Sequence, residues 1–413
     1  MKNGWTGGQY SIFRVLLGLY LVQHFLTLLP WGQEVFSNRG ALASASASPL
    51  IHLFPNVLAV LDQPEFVLFL LTVGALLSSL LAVGFWDRPA ALALWYLWAC
   101  LLGRNPLISN PALPFIGWLL LIHAILPKAP FGSWAARGRA DPRGNWYMPQ
   151  SVFFLAWILI AIGYSYSGYT KLVSPSWIDG SAFARVLENP LARPTPLRSL
   201  LLAMPPVSLH LATWTALILE LAFAPLALFR RARPWIWTVM VGLQAGLLLL
   251  VSFADLTVGM LLVHFFTFDP GWLREGKTDR PAWIFYDGNC ALCHRWVRFV
   301  LAEDTEGKSF RISSLQGDLF ATRVPAEERA SLPDSIVVLT EDGKLLTSSA
   351  AVLHVLRRLG GLWRFMSSIL VVVPRSVLDW FYDRIAGVRK QLFGIRENLC
   401  PVVSPELKRR FDA

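Results

Sequence analysis

"AWIFYDGNCALCHRWVRFVLAED", residues 282–304, decides the fold of the C-terminal part of this chain. Its first six residues read as a strand. The stretch from Cys290 predicts a helix with Trp296, Val297, Val300 and Leu301 on one side. "FRISS" follows as a second strand, and "SIVVLTEDGKLL" as two more joined by a turn at Asp342–Gly343. "SSAAVLHVLRRLGG" closes as a helix capped by Ser348 or Ser349, with Gly360 past its end. Strand, C-x-x-C, helix, strand, hairpin, helix is the order of a thioredoxin-like α/β domain.

That setting gives the two cysteines a chemistry. A cysteine opening a helix has its thiolate favoured by the helix N-terminus, and a second cysteine one turn later can resolve a mixed disulfide. Cys290 is expected to attack and Cys293 to resolve. His294 shares a helical face with Cys290 and either favours its thiolate or is a solvated helix residue. "CALCH" also satisfies the c-type haem pattern, which requires an exported site and an axial partner. Zinc would recruit Cys290, Cys293, His294 and distant Cys400, without the second clustered ligand pair of a closed site; no metal is expected. Inert burial is the third alternative, and it fits poorly beside the exposed turn expected at Gly288–Asn289.

Upstream the chain is of another kind. Of its 413 residues 54% are hydrophobic and only 15% charged, with 18 Trp, which excludes an ordinary soluble protein of this length. Apolar runs near 10–30, 64–84, 89–103, 112–127, 149–170, 207–229, 234–253 and 255–268 predict an α-helical transmembrane bundle of about eight spans. The third and eighth are short. "ALASASAS" at 41–48 lies too far beyond too long a run to be a signal-peptide cleavage site, so the first span is expected to stay. Charges return in "FDPGWLREGKTDRP", which places the boundary between a membrane domain, 1–272, and the thioredoxin-like domain, 281–413.

Lys128, Arg137, Arg139 and Arg143 in one loop, and Arg230, Arg231 and Arg233 in another, point to the cytoplasm with the N-terminus inside. The opposing loop, with Lys171, Arg185, Arg193 and Arg198, is nearly as basic, though accompanied by Asp179 and Glu188. An even number of crossings then leaves the dithiol cytoplasmic, in a bacterial inner membrane. The net charge of +10 fits loops beside anionic lipid and requires no nucleic acid.

Residues from about Pro281 to Phe411 resemble the DCC family of thiol–disulfide oxidoreductases. "FYDGNCALC", "SIVVLTEDG", "SSAAVLHVLRRLGG", "VVPRSVLDWFYDRIAGVRKQLFG" and "CPVVSPELKRRF" carry the likeness, and the D-G-x-C-x-x-C element, Asp287 to Cys293, is its most specific part. The resemblance implies redox activity at Cys290 and Cys293, a thioredoxin-like fold and a thiol or disulfide partner. A second likeness covers about Gly8 to Trp272. "SGYTKLVSPSWIDGSAFARVL", Ser167–Leu187, is similar to the signature of the HTTM domain shared with vitamin K-dependent γ-carboxylases. It implies that Lys171 matches the base that deprotonates a quinol. Pro111 and Gln244 stand about where relatives carry histidine, and the large lumenal domain of the carboxylases is lacking, so glutamate carboxylation is not implied.

A lysine desolvated at a membrane boundary can act as a base; equally, it can snorkel from the end of a span. Tyr169 and Trp177, near in sequence, are candidates to pack a quinone ring. Glu220 and His264, with His123 and Asp255, are ionisable residues inside or at the edge of spans and imply a polar pocket or helix–helix hydrogen bonds. Val377, Trp380, Phe381, Ile385 and Val388 recur at helical spacing near the C-terminus and are expected to pack on the domain core or the membrane surface. The expected protein is an integral membrane thiol–disulfide oxidoreductase, with a quinone or quinol as its possible coupled lipid. The runner-up is a quinol-dependent peptide- or lipid-modifying enzyme with Lys171 as base and the dithiol regulatory, and a membrane anchor is the non-enzymatic alternative.

Overall fold

All eight apolar runs fold as helices in the structure, a computed structural model that describes residues 3–273, 280–333, 335–393 and 404–412. They are α1 (Gly7–Leu28), α2 (Pro64–Val83), α3 (Asp87–Arg104), α4 (Ala112–Ile125), α5 (Gln150–Lys171), α6 (Pro206–Leu228), α7 (Arg233–Leu250) and α8 (Ala254–Thr267). Proline near the starts of α2, α6 and α7 supplies a fixed φ where no intrahelical donor is needed. Gly84, in the left-handed conformation, ends α2.

Five of these helices, α1, α2, α5, α6 and α7, are long and apolar enough to cross a membrane. The expected eight is thus an upper reading: α3 carries Asp87, Arg88 and Arg104, and α4 and α8 have 14 residues each. Outward apolar side chains such as Phe69, Leu76, Ile162 and Ile218 are each at least 60% exposed, as lipid-facing residues are.

The chain forms two compact units whose borders differ from a single cut near residue 272. One comprises Phe13–Leu126 and Pro149–Phe268, the other Met1–Ile12, Pro127–Met148 and Asp269–Ala413. In the first, α5 and α6 meet closely at Gly168, where a Cβ would stand 2.8 Å from the backbone nitrogen of Leu221. The buried guanidinium of Arg14 donates to the carbonyls of Leu81 and Ala82, both at 2.6 Å. That of Arg104 donates to Ser37 O, Leu42 O and Asp62 Oδ2, so these charges are held by acceptors rather than left bare.

The second unit is built on β1 (Ala282–Tyr286), α9 (Ala291–Glu303), β2 (Phe310–Ser314), β3 (Val337–Leu339), β4 (Leu345–Thr347) and α10 (Ser348–Leu359). The sheet order is β2-β1-β3-β4, parallel between β1 and β2 and antiparallel elsewhere, with Ile284 opposite both Ile312 and Val338. Ile284, Val300, Phe310, Val338 and Val355 form the core between sheet and helices. Each large side chain so buried contributes about 1.5–3 kcal/mol. The C-terminal residues extend the β2 edge: Ile312 N donates to Arg410 O and Asp412 N to Ile312 O.

Helix α10 starts one residue earlier than expected, since Thr347 is its cap and Ser348, at φ +50°, is its first residue. Ser349 instead donates, through both N–H and hydroxyl, to Asp379 Oδ1. Asp379 lies on the last long helix, α12 (Arg375–Phe393), which follows α11 (Gly361–Leu370) after a 114° bend. The apolar residues expected to pack from α12, Val377, Trp380, Phe381, Ile385 and Val388, are all exposed; it is Tyr382 and Arg389 that turn inward.

Candidate functional site

Cys290 caps α9 as expected: its Sγ accepts the backbone N–H of Cys293 at 3.3 Å. Both cysteines are free thiols. Such a bond strengthens when the sulfur carries negative charge, and it places Cys290 where the α9 dipole favours an anion. Yet Cys290 is only 1% exposed, whereas Cys293 is half-buried against Tyr286, Val297, Leu301, Ile312 and Leu407. A Cys290 sulfur that is to meet a partner disulfide must therefore be uncovered first. Burial, reinforced by the adjoining Cys290 sulfur, pushes the Cys293 thiol up to about 12, and Arg389 opposes that rise.

The loop before the dithiol is fixed by its own side chains. Asp287 Oδ1 accepts Asn289 N–H at 3.0 Å and the Gln316 amide at 3.1 Å, while its backbone carbonyl accepts Cys290 N–H. Gln316 Oε1 in turn accepts Gly288 N–H. His294 is not solvated: it is buried, packs edge-on against Tyr286 and donates from Nε2 to Gly288 O at 2.7 Å. That bond fixes the tautomer and makes His294 a positioning residue for the turn. On the other side α12 brings Arg389, 4.0 Å from Asp287, and Tyr382, whose hydroxyl accepts Ile336 N–H.

Sequence reading singled out neither Gln316, Tyr382 nor Arg389. Their signal lies in the fold, since Gln316 and Arg389 reach Asp287 in the loop before the dithiol, and Tyr382 reaches Ile336, from positions remote in the chain. Cys400, once a possible zinc ligand, lies outside the described residues.

The bundle candidates fall into separate clusters. Lys171 is ion-paired with Glu220 and stands over the Trp177 ring, 4.4 Å from its centroid. Tyr169 is 66% exposed on another face of α5 and stays out of that group. His264 belongs to a second, where its Nε2 meets the Tyr164 hydroxyl at 2.8 Å and Gln244 donates to the same hydroxyl at 3.0 Å. Asp255 is the centre of a third cluster: Tyr20 and His24 contact Oδ1 at 2.7 and 2.8 Å, and Asn110 donates to Oδ2. His123 lies 3.5 Å from Asp87. Tyr20, His24 and Tyr164 were not foreseen, because within an apolar run a hydroxyl or imidazole carries no mark of the helix it will face.

A small α/β domain with a helix-capping C-x-x-C pair, in one chain with several helices apolar enough to cross a membrane, defines the class. The family model for DCC1-like thiol–disulfide oxidoreductase matches residues 284–395. The chain belongs to that family through its C-terminal region. It is similar to the uncharacterized protein YuxK of Bacillus subtilis (strain 168), 36% identical over 132 residues that make up 31% of this chain and 91% of the relative. It is also similar to a chloroplastic DCC family protein of Arabidopsis thaliana, 29% identical over 133 residues, or 31% of this chain and 76% of that one. No solved structure matches.

Proposed function

We propose that this protein is an integral membrane thiol–disulfide oxidoreductase whose thioredoxin-like domain cycles Cys290 and Cys293 between dithiol and disulfide. The observation that carries the reading is the Cys290 sulfur seated on the start of α9 with Cys293 N–H donated to it. The Cys290 thiolate attacks a partner disulfide and releases one partner thiolate. Cys293, losing its proton, then displaces the second, so the partner gains two electrons and two protons as the Cys290–Cys293 disulfide forms.

The HTTM-like likeness of the bundle supports coupling to a quinone-like lipid, whose quinol would return two electrons and two protons to the Cys290–Cys293 disulfide left by the partner and become the quinone. The Lys171–Glu220 pair beside Trp177 offers a charged group and an aromatic face for such a headgroup. The unit that holds Cys290 also holds the basic loop residues Lys128, Arg137, Arg139 and Arg143 and the first residues of α1. That grouping supports a cytoplasmic dithiol, kept reduced and acting as a reductase.

The test is exchange by reduced full-length protein in detergent. One small-molecule disulfide consumed per chain is expected, with none for Cys290→Ser and a trapped mixed disulfide for Cys293→Ser. Exchange that survives Cys290→Ser refutes the assignment. Labelling with a membrane-impermeant thiol reagent in intact cells tests the side: reaction at Cys290 from outside overturns the cytoplasmic placement.

A further inference from the structure

Only the inner side of α12 faces the dithiol, and among the described residues its outer side is left exposed. Val377, Phe381, Arg384 and Val388 follow one another at spacings of four, three and four, so they share a face, with Trp380 and Ile385 flanking it. The five apolar members are 41–56% exposed. The face is continued by Phe365 and Ile369 on α11 and by Val371 and Val372 at the bend, the last 84% exposed. So large an apolar surface marks an interaction site.

Its charges select the partner. Arg384 lies within the stripe with its guanidinium 5.3 Å from the Trp380 ring centroid, the posture of a long cation lying along apolar surface with its head toward water. Arg364 and Arg375 border the stripe. Of the two acids on α12, Asp379 accepts from Ser349 and pairs with Arg375 at 3.8 Å, so Asp383 is the acid that stands against Arg364 and Arg384.

Position adds a second argument. Helix α11 begins against the first turns of α1, a candidate span: a Cβ on Gly361 would stand 3.1 Å from the Gln9 side chain. Trp363 of α11 and Thr6 and Gly8 before and within α1 all donate to the same Glu303 carboxylate. A hollow of about 500 Å³ lined by Arg137, Arg295 and Arg298 opens beside the same turns, where Gly7 abuts Phe131. The apolar hairpin therefore starts where a membrane helix starts, among cations that suit anionic headgroups.

We propose that α11 and α12 form an interfacial hairpin that lies on an anionic bilayer surface and buries the stripe from Phe365 to Val388 among the lipids. The proposal does not depend on what the dithiol reduces. It makes the helix that carries Tyr382 and Arg389 the element that keeps Cys290 and Cys293 close to the membrane.

The test is photocrosslinking of the full chain in vesicles of phosphatidylethanolamine and phosphatidylglycerol, with 4-benzoylphenylalanine replacing Phe381, Ile385 or, as the polar-face control, Asp383. Mass addition of one phospholipid at 381 and 385, in clear excess over 383, is expected. A covalent dimer, a crosslink to another part of the same chain, or no lipid adduct overturns the proposal. Hydroxyl-radical footprinting of the unmodified protein covers the case in which a substituted chain fails to fold. Trp380 and Phe381, 52% and 56% exposed, should be protected in vesicles; oxidation as rapid as that of a solvent-exposed aromatic refutes docking.

Discussion

Replacing Glu303 by glutamine should abolish a pH dependence that the wild-type protein carries near neutrality. Glu303, at the end of α9, is 4% exposed and receives hydrogen bonds from Thr6, Gly8 and the Trp363 indole. Burial raises its carboxyl from 4.5 to about 7, although those donors pull it back. The folded protein thus keeps a proton that an unfolded carboxyl has lost, so stability from this group is full below pH 4.5 and is lost as pH rises through about 7. At about 1.4 kcal/mol per tenfold change in proton affinity, the loss amounts to about 3 kcal/mol between those limits. Glutamine keeps the size and one acceptor but does not titrate. Thermal unfolding of full-length protein in detergent, followed by tryptophan fluorescence from pH 4.5 to 8.5, should show the wild type losing stability across this window and Glu303→Gln losing less. Equal slopes for the two, or a wild type that gains stability toward pH 8, would refute the reasoning.

Removing the cation that faces the dithiol should slow resolution: Arg389→Gln takes away the charge that holds the Cys293 thiol down, so the mixed disulfide formed by Cys290 should persist longer in stopped-flow exchange at pH 7. Lys171→Ala strands the Glu220 carboxylate, 8% exposed, and should destabilise the bundle by about 3–5 kcal/mol in thermal unfolding. Lys171→Arg keeps the ion pair and should unfold like the wild type. If quinol-dependent turnover requires a base at this position, the arginine variant should be folded but inactive, since its guanidinium holds its proton. His294→Phe should retain the α9 packing but lose the bond to Gly288 O, and faster hydrogen exchange at Gly288–Cys290 by mass spectrometry would report the loosened turn.

What could be read without the fold was whatever depends on neighbours in sequence. The cap at Cys290, the Gly343 turn and the Gly360 stop each follow from residues within a turn of one another, and the eight apolar runs follow from composition. Errors arose where the deciding partner was remote. Ser349 resembled a cap until Asp379, 30 residues on, took its hydroxyl. His294 resembled a solvated residue because its position on the helix says nothing of Tyr286 beneath it. The stripe on α12 has a period that suits a core, and period alone does not say which of two greasy surroundings, protein or lipid, will receive it. Tyr169 and Lys171 are two residues apart and so face apart, which closeness in sequence had concealed.

The carboxylate of Glu303 joins residues 297 positions apart, and the unit it closes is woven from three stretches of one chain. During synthesis Thr6 and Gly8 must wait for nearly three-quarters of the polypeptide before their acceptor exists. The sheet can pair locally soon after β4 emerges, but its outer shell is a high-contact-order event that comes late. Until then the indole of Trp363 and the first turn of α1 are open to chaperones, to neighbouring chains and to proteases. A chain that began at β1 would keep both cysteines and lose the donors that Thr6 and Gly8 bring to Glu303.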